Sequence, residues 1–241
     1  MGVSAQSARM IPGPDLILAC PHCGALSRLF TLASSDAEGA ISWTDGYQHF
    51  PLAPRQPNIV RCHACSQLHW LAECREVGMI DPVGMTPAEG VPRFASFEKA
   101  EQPEPGTPPP DGWVNAPQMQ SLDESGYFAA LNSGLAKTPE QEIELRVHAW
   151  WRGNDRFRKH EGTGRYPTSP QAVENLERII VLTEGGDHEF VLFRAEALRQ
   201  LGRFEAAEEA LYGLCSDYAL AREKATELIR AKSRDLEVLF A

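Results

Sequence analysis

Two pairs of cysteines, each separated by two residues, are the side chains of this sequence best suited to chemistry. The first pair is Cys20 and Cys23 in the segment CPHCG, and the second is Cys62 and Cys65 in the segment CHAC. A C-x-x-C spacing holds two thiolates on one tight turn, and two such turns supply the four sulfurs of a closed tetrahedral zinc site. The sequence therefore predicts one zinc ion per chain, bound by Cys20, Cys23, Cys62 and Cys65.

Other uses of these cysteines lead to different expectations. Iron is bound by the same four thiolates and would pass single electrons. Disulfides require an oxidising compartment, whereas residues 1–14 lack the long apolar core of a signal peptide. The neighbouring histidines, His22, His63 and His69, are alternative ligands. We expect zinc in preference to iron, in a cytoplasmic protein whose thiols stay reduced.

Short strands are predicted around the cysteine pairs. They fall at residues 25–32, 40–44, 58–61 and 68–71, with a turn signal at Asp45-Gly46. With its two cysteine pairs, the segment 14–78 resembles the rubredoxin-like zinc ribbons, in which both pairs lie on β-turns of a small sheet. This sequence departs from that family at Ser66, because a glycine usually follows the second pair as Gly24 follows the first.

The composition changes after this segment. Eight prolines lie between Gly78 and Gly112. Proline fixes φ and lacks an amide donor, so residues 79–120 are predicted to be an extended linker. A spacer is favoured over a ligand for a proline-binding domain.

Helical signals dominate residues 121–241. A capping box is predicted at Ser121–Glu124, and Thr138-Pro139 and Ser169-Pro170 have the pattern of helix starts. Six helices are predicted, from 122 to about 132, from 139 to near Gly153, from 170 to Gly185, and over 188–201, 203–215 and 217–239. A break near Ser233 is the alternative for the last helix.

The fourth and fifth predicted helices resemble the centre of a tetratricopeptide repeat, which pairs two antiparallel helices. The resemblance rests on Ala195, Leu201-Gly202, Phe204 and Ala207. It covers one repeat and lacks the usual aromatic residue and closing proline, so an irregular helical bundle is the alternative. The resemblance implies a groove that binds a protein or peptide.

Charge and hydropathy restrict the partners. The 241-residue chain has a net charge of −10, and residues 1–78 carry five arginines against six carboxylates. Nucleic-acid-binding ribbons need a basic face, so a nucleic acid partner is not favoured. No run approaches the ~20 apolar residues that cross a bilayer, so no membrane association is expected.

Residues 150–165, in the helical region, concentrate cations and aromatic rings. We predict that it contacts a partner through Trp151, Arg152, Arg156, Arg158 and Arg165. The alternative is that the cations offset a helix dipole and the tryptophans are core residues.

These observations predict an α+β protein without catalytic activity. No phosphate-binding glycine loop, nucleophile-elbow serine or HExxH motif occurs in the sequence. The expected order is a small β zinc ribbon (14–78), a Pro-rich linker (79–120) and an all-α, tetratricopeptide-like domain (121–241). The expected function is zinc binding combined with protein or peptide interaction. An iron electron carrier and a nucleic-acid-associated ribbon are the alternatives.

Overall fold

The chain divides into two compact units. The computed structural model describes residues 10–80, 108–159 and 165–240. The first unit contains the chain up to Glu38 and then Phe50–Leu122. The second contains Gly39–His49 and the chain from Asp123 onward. The polypeptide therefore leaves the first unit for eleven residues and then returns to it. Residues 81–107, most of the predicted linker, lie outside the described residues.

Short strands form the first unit and helices dominate the second. The strands are β1 (Met10–Pro12), β2 (Asp15–Ala19), β3 (Leu26–Leu29), β4 (Leu32–Ser35), β5 (Ile41–Trp43), β6 (Gln48–His49), β7 (Ile59–Arg61), β8 (Leu68–Trp70), β9 (Arg75–Ile80) and β10 (Val238–Phe240). The helices are α1 (Asp111–Val114), α2 (Glu124–Asn132), α3 (Pro139–Arg158), α4 (Pro170–Leu182), α5 (His188–Gln200), α6 (Phe204–Ala210) and α7 (Ala219–Arg230). Within the described stretches, no helix combines the length and hydrophobicity of a membrane span. This layout agrees with the predicted α+β class.

The central sheet of the first unit has the strand order β3-β2-β9, and both pairings are antiparallel. The middle strand, β2, is apolar from Leu16 to Ala19 and buried throughout that run, as expected of a strand covered on both faces. Leu16 and Leu18 pack with Leu29 and Met79 in a small core. Separate two-stranded sheets pair β1 with β4 and β7 with β8.

Part of the segment that was predicted to be a linker packs on this sheet. Trp113 in α1 is 8% exposed, and its ring lies against Gly78 of β9. A Cβ atom at Gly78 would come within 2.0 Å of that ring, so the glycine makes room for the tryptophan. Arg28 donates from Nε to the Ala116 carbonyl at 2.9 Å, which fixes the following residues beside β3. The described residues of this segment therefore belong to the first unit.

Among the described helices of the second unit, four (α2 to α5) begin at capping side chains. Thr138 and Ser169 accept hydrogen bonds from amides of the first turn, and each is followed by proline, as the sequence predicts. The first cap differs from the prediction. Asp123, and not Ser121, accepts the amide hydrogen bond of Gly126 at 2.7 Å, and α2 begins at Glu124.

The third helix continues past the glycine at which the sequence predicted its end. Gly153 lies inside α3, where a Cβ atom would come within 2.4 Å of both Glu124 Oε1 and the Tyr166 ring. Glycine inside a helix costs about 1 kcal/mol relative to alanine. Here it permits close packing of Tyr166, which is 2% exposed. Gly153 is therefore a packing residue rather than a helix terminator.

A helix pair occurs at the predicted position of the repeat-like motif. A turn at Gly202, with φ +80°, joins α5 to α6, and Ala195 and Ala207 are buried in the core. The helical core is confirmed, whereas the resemblance to a tetratricopeptide repeat stays a prediction. The last helix is shorter than predicted, because α7 ends at Arg230 and the chain then forms β10.

The β5–β6 hairpin, which the sequence placed in the ribbon, lies in the second unit. The Asp45 side chain is fully buried, and its Oδ2 accepts hydrogen bonds from Arg158 and, at 2.9 Å, from Asn154. Trp151 donates from Nε1 to the Asp45 carbonyl at 2.9 Å. A period-two pattern predicts a strand but not the sheet that the strand joins. The buried ion pair between Asp45 and Arg158 decides that choice.

We expect Asp45→Asn to lower the free energy of unfolding of the second unit by about 3 kcal/mol, because Arg158 would remain buried with only the partly exposed Asp155 as counter-charge. The double variant Asp45→Asn/Arg158→Met should recover part of that loss, because no buried charge remains. Urea unfolding followed by far-UV circular dichroism measures both values. Glu208→Gln, on the exposed side of α6, is the control. If the double variant were as unstable as Asp45→Asn, the unpaired charge of Arg158 would not be the cause of the lost stability.

Candidate metal centre

Each cysteine pair lies at the tip of an antiparallel hairpin in the first unit. Strands β2 and β3 flank the first pair, and Ala19 pairs with Leu26 at the base of the turn. Strands β7 and β8 flank the second pair, and Arg61 pairs with Leu68. The two turns contain the same number of residues between paired positions, so the two hairpins present their cysteines in the same way.

The backbone of the two turns is also the same. In the first turn, the amides of Cys20 and Gly24 donate at 2.9 Å to the carbonyls of Ala25 and Cys20, and the second turn repeats both bonds. The residue after each pair is left-handed, with φ +75° at Gly24 and +61° at Ser66. Ser66 therefore adopts the conformation that glycine adopts in the first turn. Its departure from the family pattern leaves the turn intact.

The four cysteine sulfurs converge. All of them lie within 4.8 Å of one another. The Cys20 and Cys65 sulfurs are 3.9 Å apart, and the Cys23 and Cys62 sulfurs are 3.6 Å apart, so both close pairs join different hairpins. A tetrahedral ion with metal–sulfur bonds of about 2.3 Å requires sulfur–sulfur edges of about 3.8 Å. The donors therefore fit a tetrahedral metal ion, and their separations exceed the ~2.05 Å of a disulfide.

Two of these thiols, Cys62 and Cys23, have opposite tendencies to ionise. Burial raises the pKa of Cys62, but amide donors from Cys65 and Ala64, together with neighbouring thiols, lower it to about 6. At Cys23 the Ala25 amide lowers the pKa, whereas desolvation and the three other thiols raise it to about 12. Neighbouring thiolates repel each other, so ionising one opposes ionising the next. A bound cation removes this opposition, because metal ligation requires deprotonated sulfur.

The neighbouring histidines do not belong to the cluster. Among the described residues, the group of donors close enough to share a metal ion consists of the four cysteines alone. His63 bonds through Nε2 with the Leu26 carbonyl at 3.0 Å, and His22 lies edge-on to His69, with ring centroids 5.7 Å apart. Burial lowers the pKa of His69, which favours its neutral form. Burial raises the pKa of Cys74 to about 11, which makes this thiol unreactive.

Two of the five residues predicted to contact a partner are inside the second unit. Trp151 is 6% exposed, and the Arg158 side chain is 4% exposed. Arg158 also lies over the ring of Tyr47, 4.2 Å from its centroid. Both residues hold the β5–β6 hairpin against α3. Their surroundings agree with the alternative interpretation of the sequence for Trp151, in which the tryptophans are core residues.

The other three predicted contact residues reach the surface. The side chains of Arg152, Arg156 and Arg165 are 22%, 48% and 49% exposed, and each lies 3.0–3.8 Å from a carboxylate. The sequence predicted that helix α3 ends near Gly153, whereas residues up to 158 are helical and residues 160–164 lie outside the described stretches. Contact between Arg156 or Arg165 and a partner stays a prediction.

Two supports of the metal centre lie outside its motif. Strand β9 pairs with β2 directly below the first cysteine turn, and Ala19 pairs there with Arg75. Trp113 covers the other end of β9. A single tryptophan close to a run of prolines was the available signal that this segment packs against an apolar surface.

No family model, no curated protein and no solved structure matches this chain. The candidate centre therefore rests on the geometry of the four cysteines and the chemistry of their sulfur atoms. The likeness to zinc ribbons and to tetratricopeptide repeats remains a resemblance of short motifs.

The turn conformation predicts opposite effects of two substitutions. A Cβ atom at Gly24 would meet no atom within 4 Å, so Gly24→Ala adds only the strain of its left-handed φ, about 1 kcal/mol. We expect roughly fivefold weaker metal affinity. Ser66→Gly removes a similar strain, but glycine loses about 0.5 kcal/mol more conformational entropy on folding. The metal affinity of this variant should therefore equal or exceed that of the unsubstituted protein. Competition with a chromophoric chelator measures both.

Gly112→Ala is the matched control for this experiment. It lies in the same unit, and its Cβ atom would also enter open space, but its φ is not in the left-handed region. An effect of Gly24→Ala no larger than that of Gly112→Ala would show that the turn geometry does not limit metal affinity.

Proposed function

We propose that this is a non-catalytic, cytoplasmic protein whose first unit is folded around one Zn²⁺. The observation that carries the proposal is the convergence of Cys20, Cys23, Cys62 and Cys65 at the tips of two hairpins. Four protein thiolates complete a tetrahedral shell and leave no open position for water or substrate. A closed shell of this kind stabilises a fold, whereas catalytic zinc sites keep one position open.

The placement of the two cysteine hairpins supports a structural role. The β2–β3 hairpin belongs to the β3-β2-β9 sheet, whereas the β7–β8 hairpin forms a sheet of its own. A metal ion bound by cysteines of both hairpins contributes its binding free energy to folding. In this proposal the metal joins the β2–β3 hairpin to the β7–β8 hairpin, which lies in a separate sheet.

We further propose that the helical unit binds a protein or peptide. Its packed helices form a rigid support, and it exposes several large apolar side chains. Tyr212 is 75% exposed, and Val181 and Leu220 are each 57% exposed. Exposed apolar and arginine side chains on a rigid support favour protein contacts. The exposed Arg156 and Arg165 are the first candidates.

Iron is the second candidate for the metal, and the exposure of Cys23 favours it. The same sulfur geometry suits both ions, and an exposed ligand places the metal near solvent, where a redox partner can approach. The protein would then be an electron carrier. Metal analysis separates the two functions.

We expect the full chain, purified under reducing conditions without chelator, to contain about one zinc per molecule by elemental analysis. Cys62→Ser should lose the metal and unfold the first unit, seen as lost dispersion of its amide signals in nuclear magnetic resonance spectra. The helical circular dichroism should remain. Cys74→Ser, in the same unit but outside the cluster, is the control. Protein with only traces of metal would disprove the proposal, and a predominance of iron would support the electron carrier.

The partner-binding role predicts a separation between binding and stability. Arg156→Ala/Arg165→Ala should reduce partner capture several-fold and change the free energy of unfolding by less than about 1 kcal/mol, because both side chains are half exposed. Affinity capture from the native host and chemical unfolding measure the two quantities. Arg203→Ala, an equally exposed arginine on another part of the unit, is the control. Undiminished capture would remove Arg156 and Arg165 from the proposed interface.

A further inference from the structure

A cavity of about 490 Å³ opens within the second unit, away from the residues predicted to contact a partner. Its walls come from β5, α5, α7, β10 and the 3₁₀ turn Ser216–Tyr218. This volume is within the usual range of ligand pockets, about 300–1,000 Å³. No local sequence pattern predicts this cavity, because its lining residues fall in two distant segments, 42–48 and 189–240.

The lining of this cavity is aromatic and acidic. The rings are those of Trp43, Phe193, Tyr218 and Phe240, and the carboxylates are those of Glu189, Glu196 and Asp217. Among the described residues that line the cavity, none is a lysine, arginine or histidine. Its walls therefore combine aromatic side chains with negative charge.

The three carboxylates are not equivalent. Glu196 is 4% exposed and accepts hydrogen bonds from Arg199 at 2.6 and 2.8 Å, so its charge is already compensated. Glu189 and Asp217 are exposed, and no described cation lies within 4 Å of either carboxylate. These two residues leave uncompensated negative charge at the cavity.

The lining matches the chemistry of a basic side chain. A guanidinium or ammonium group is attracted to an aromatic face within about 6 Å and pairs with carboxylates. Ala221 and Ala225 also line the cavity, and the exposed Leu220 and Phe240 offer apolar contacts to neighbouring residues of a bound segment. The net charge of −10 favours the approach of a cation over an anion.

We propose that this cavity is a basic-peptide groove, which receives an arginine or lysine side chain of a partner's extended segment. The inference rests on the proposed partner binding by the helical unit, and it assigns the surface and the chemistry of the partner. The groove has the opposite charge to the Arg156 and Arg165 surface, so binding at the two places is distinguishable.

The test uses the zinc-loaded full chain and four probes. Three are acetylated, amidated pentapeptides: Gly-Leu-Arg-Leu-Gly, and the same sequence with glutamate or methionine in place of arginine. The fourth is spermidine. Amide signals of the isotope-labelled protein are followed during titration. We expect the arginine peptide to shift the signals of Phe193, Tyr218 and Leu220 with a dissociation constant of about 1 mM, and the other probes to bind more weakly or not at all.

Charge-neutral substitutions show whether the groove is responsible. Glu189→Gln/Asp217→Asn should weaken binding of the arginine peptide roughly fivefold or more. Glu208→Gln/Glu209→Gln removes the same charge from exposed positions on α6 and should leave binding unchanged. The spectrum of each unliganded variant shows that it is folded before titration.

Three results would overturn the inference. They are unshifted groove signals at about 5 mM arginine peptide, equal weakening by the two double variants, and spermidine binding as tight as that of the peptide.

The proposed partner binding can fail independently of the groove assignment. If a captured host partner binds the Glu189→Gln/Asp217→Asn variant at full strength but does not bind the Arg156→Ala/Arg165→Ala variant, the groove assignment is wrong and partner binding stands. If no host partner is captured while the arginine peptide binds the groove, the groove assignment stands and the proposed partner binding is wrong.

Discussion

Four cysteine sulfurs within 4.8 Å of one another cannot all be thiolates unless a cation lies among them. The two hairpins of the first unit nevertheless hold them at separations that match a tetrahedral ion. Amide donors to the Cys62 sulfur already favour one thiolate, and a bound metal ion would make the other three favourable. Such an ion would also link the two hairpins, whose strands belong to separate sheets. The sulfur geometry is the observation on which the proposed structural metal rests.

Buried charge also organises the second unit, where two ion pairs fix segments that are distant in the chain. Arg158 holds the β5–β6 hairpin through Asp45, and Arg199 reaches beyond Glu196 to the Ser233 and Asp235 carbonyls before β10. Buried ion pairs add little net stability, but losing one partner leaves an expensive unpaired charge. Alternative arrangements of these segments are therefore disfavoured. The pairs also position β5 and β10, which form two walls of the basic-peptide groove.

In the proposed function, the surface of the helical unit offers two chemically opposite places for a partner. Arg156 and Arg165 are half exposed and suit an acidic group, whereas the groove with Glu189 and Asp217 suits a basic one. Opposite charges at the two places would make the choice of partner depend on charge pattern. The four-cysteine centre belongs to the first unit, where the proposed zinc ion would stabilise the fold.

The sequence by itself determined the features that depend on neighbouring residues. These include the two cysteine turns, the helix starts at Thr138 and Ser169, and the helix pair around Gly202, since turn and cap chemistry act within a few residues. Only the tertiary structure decided that Gly153 lies inside a helix, that Arg158 is buried, and that the β5–β6 hairpin joins the helical unit. Asp45 and Arg158 are 113 residues apart, and no local pattern marks them as partners. Burial and charge pairing depend on the long-range contacts of the folded chain, so the groove too is a property of the fold and not of any segment.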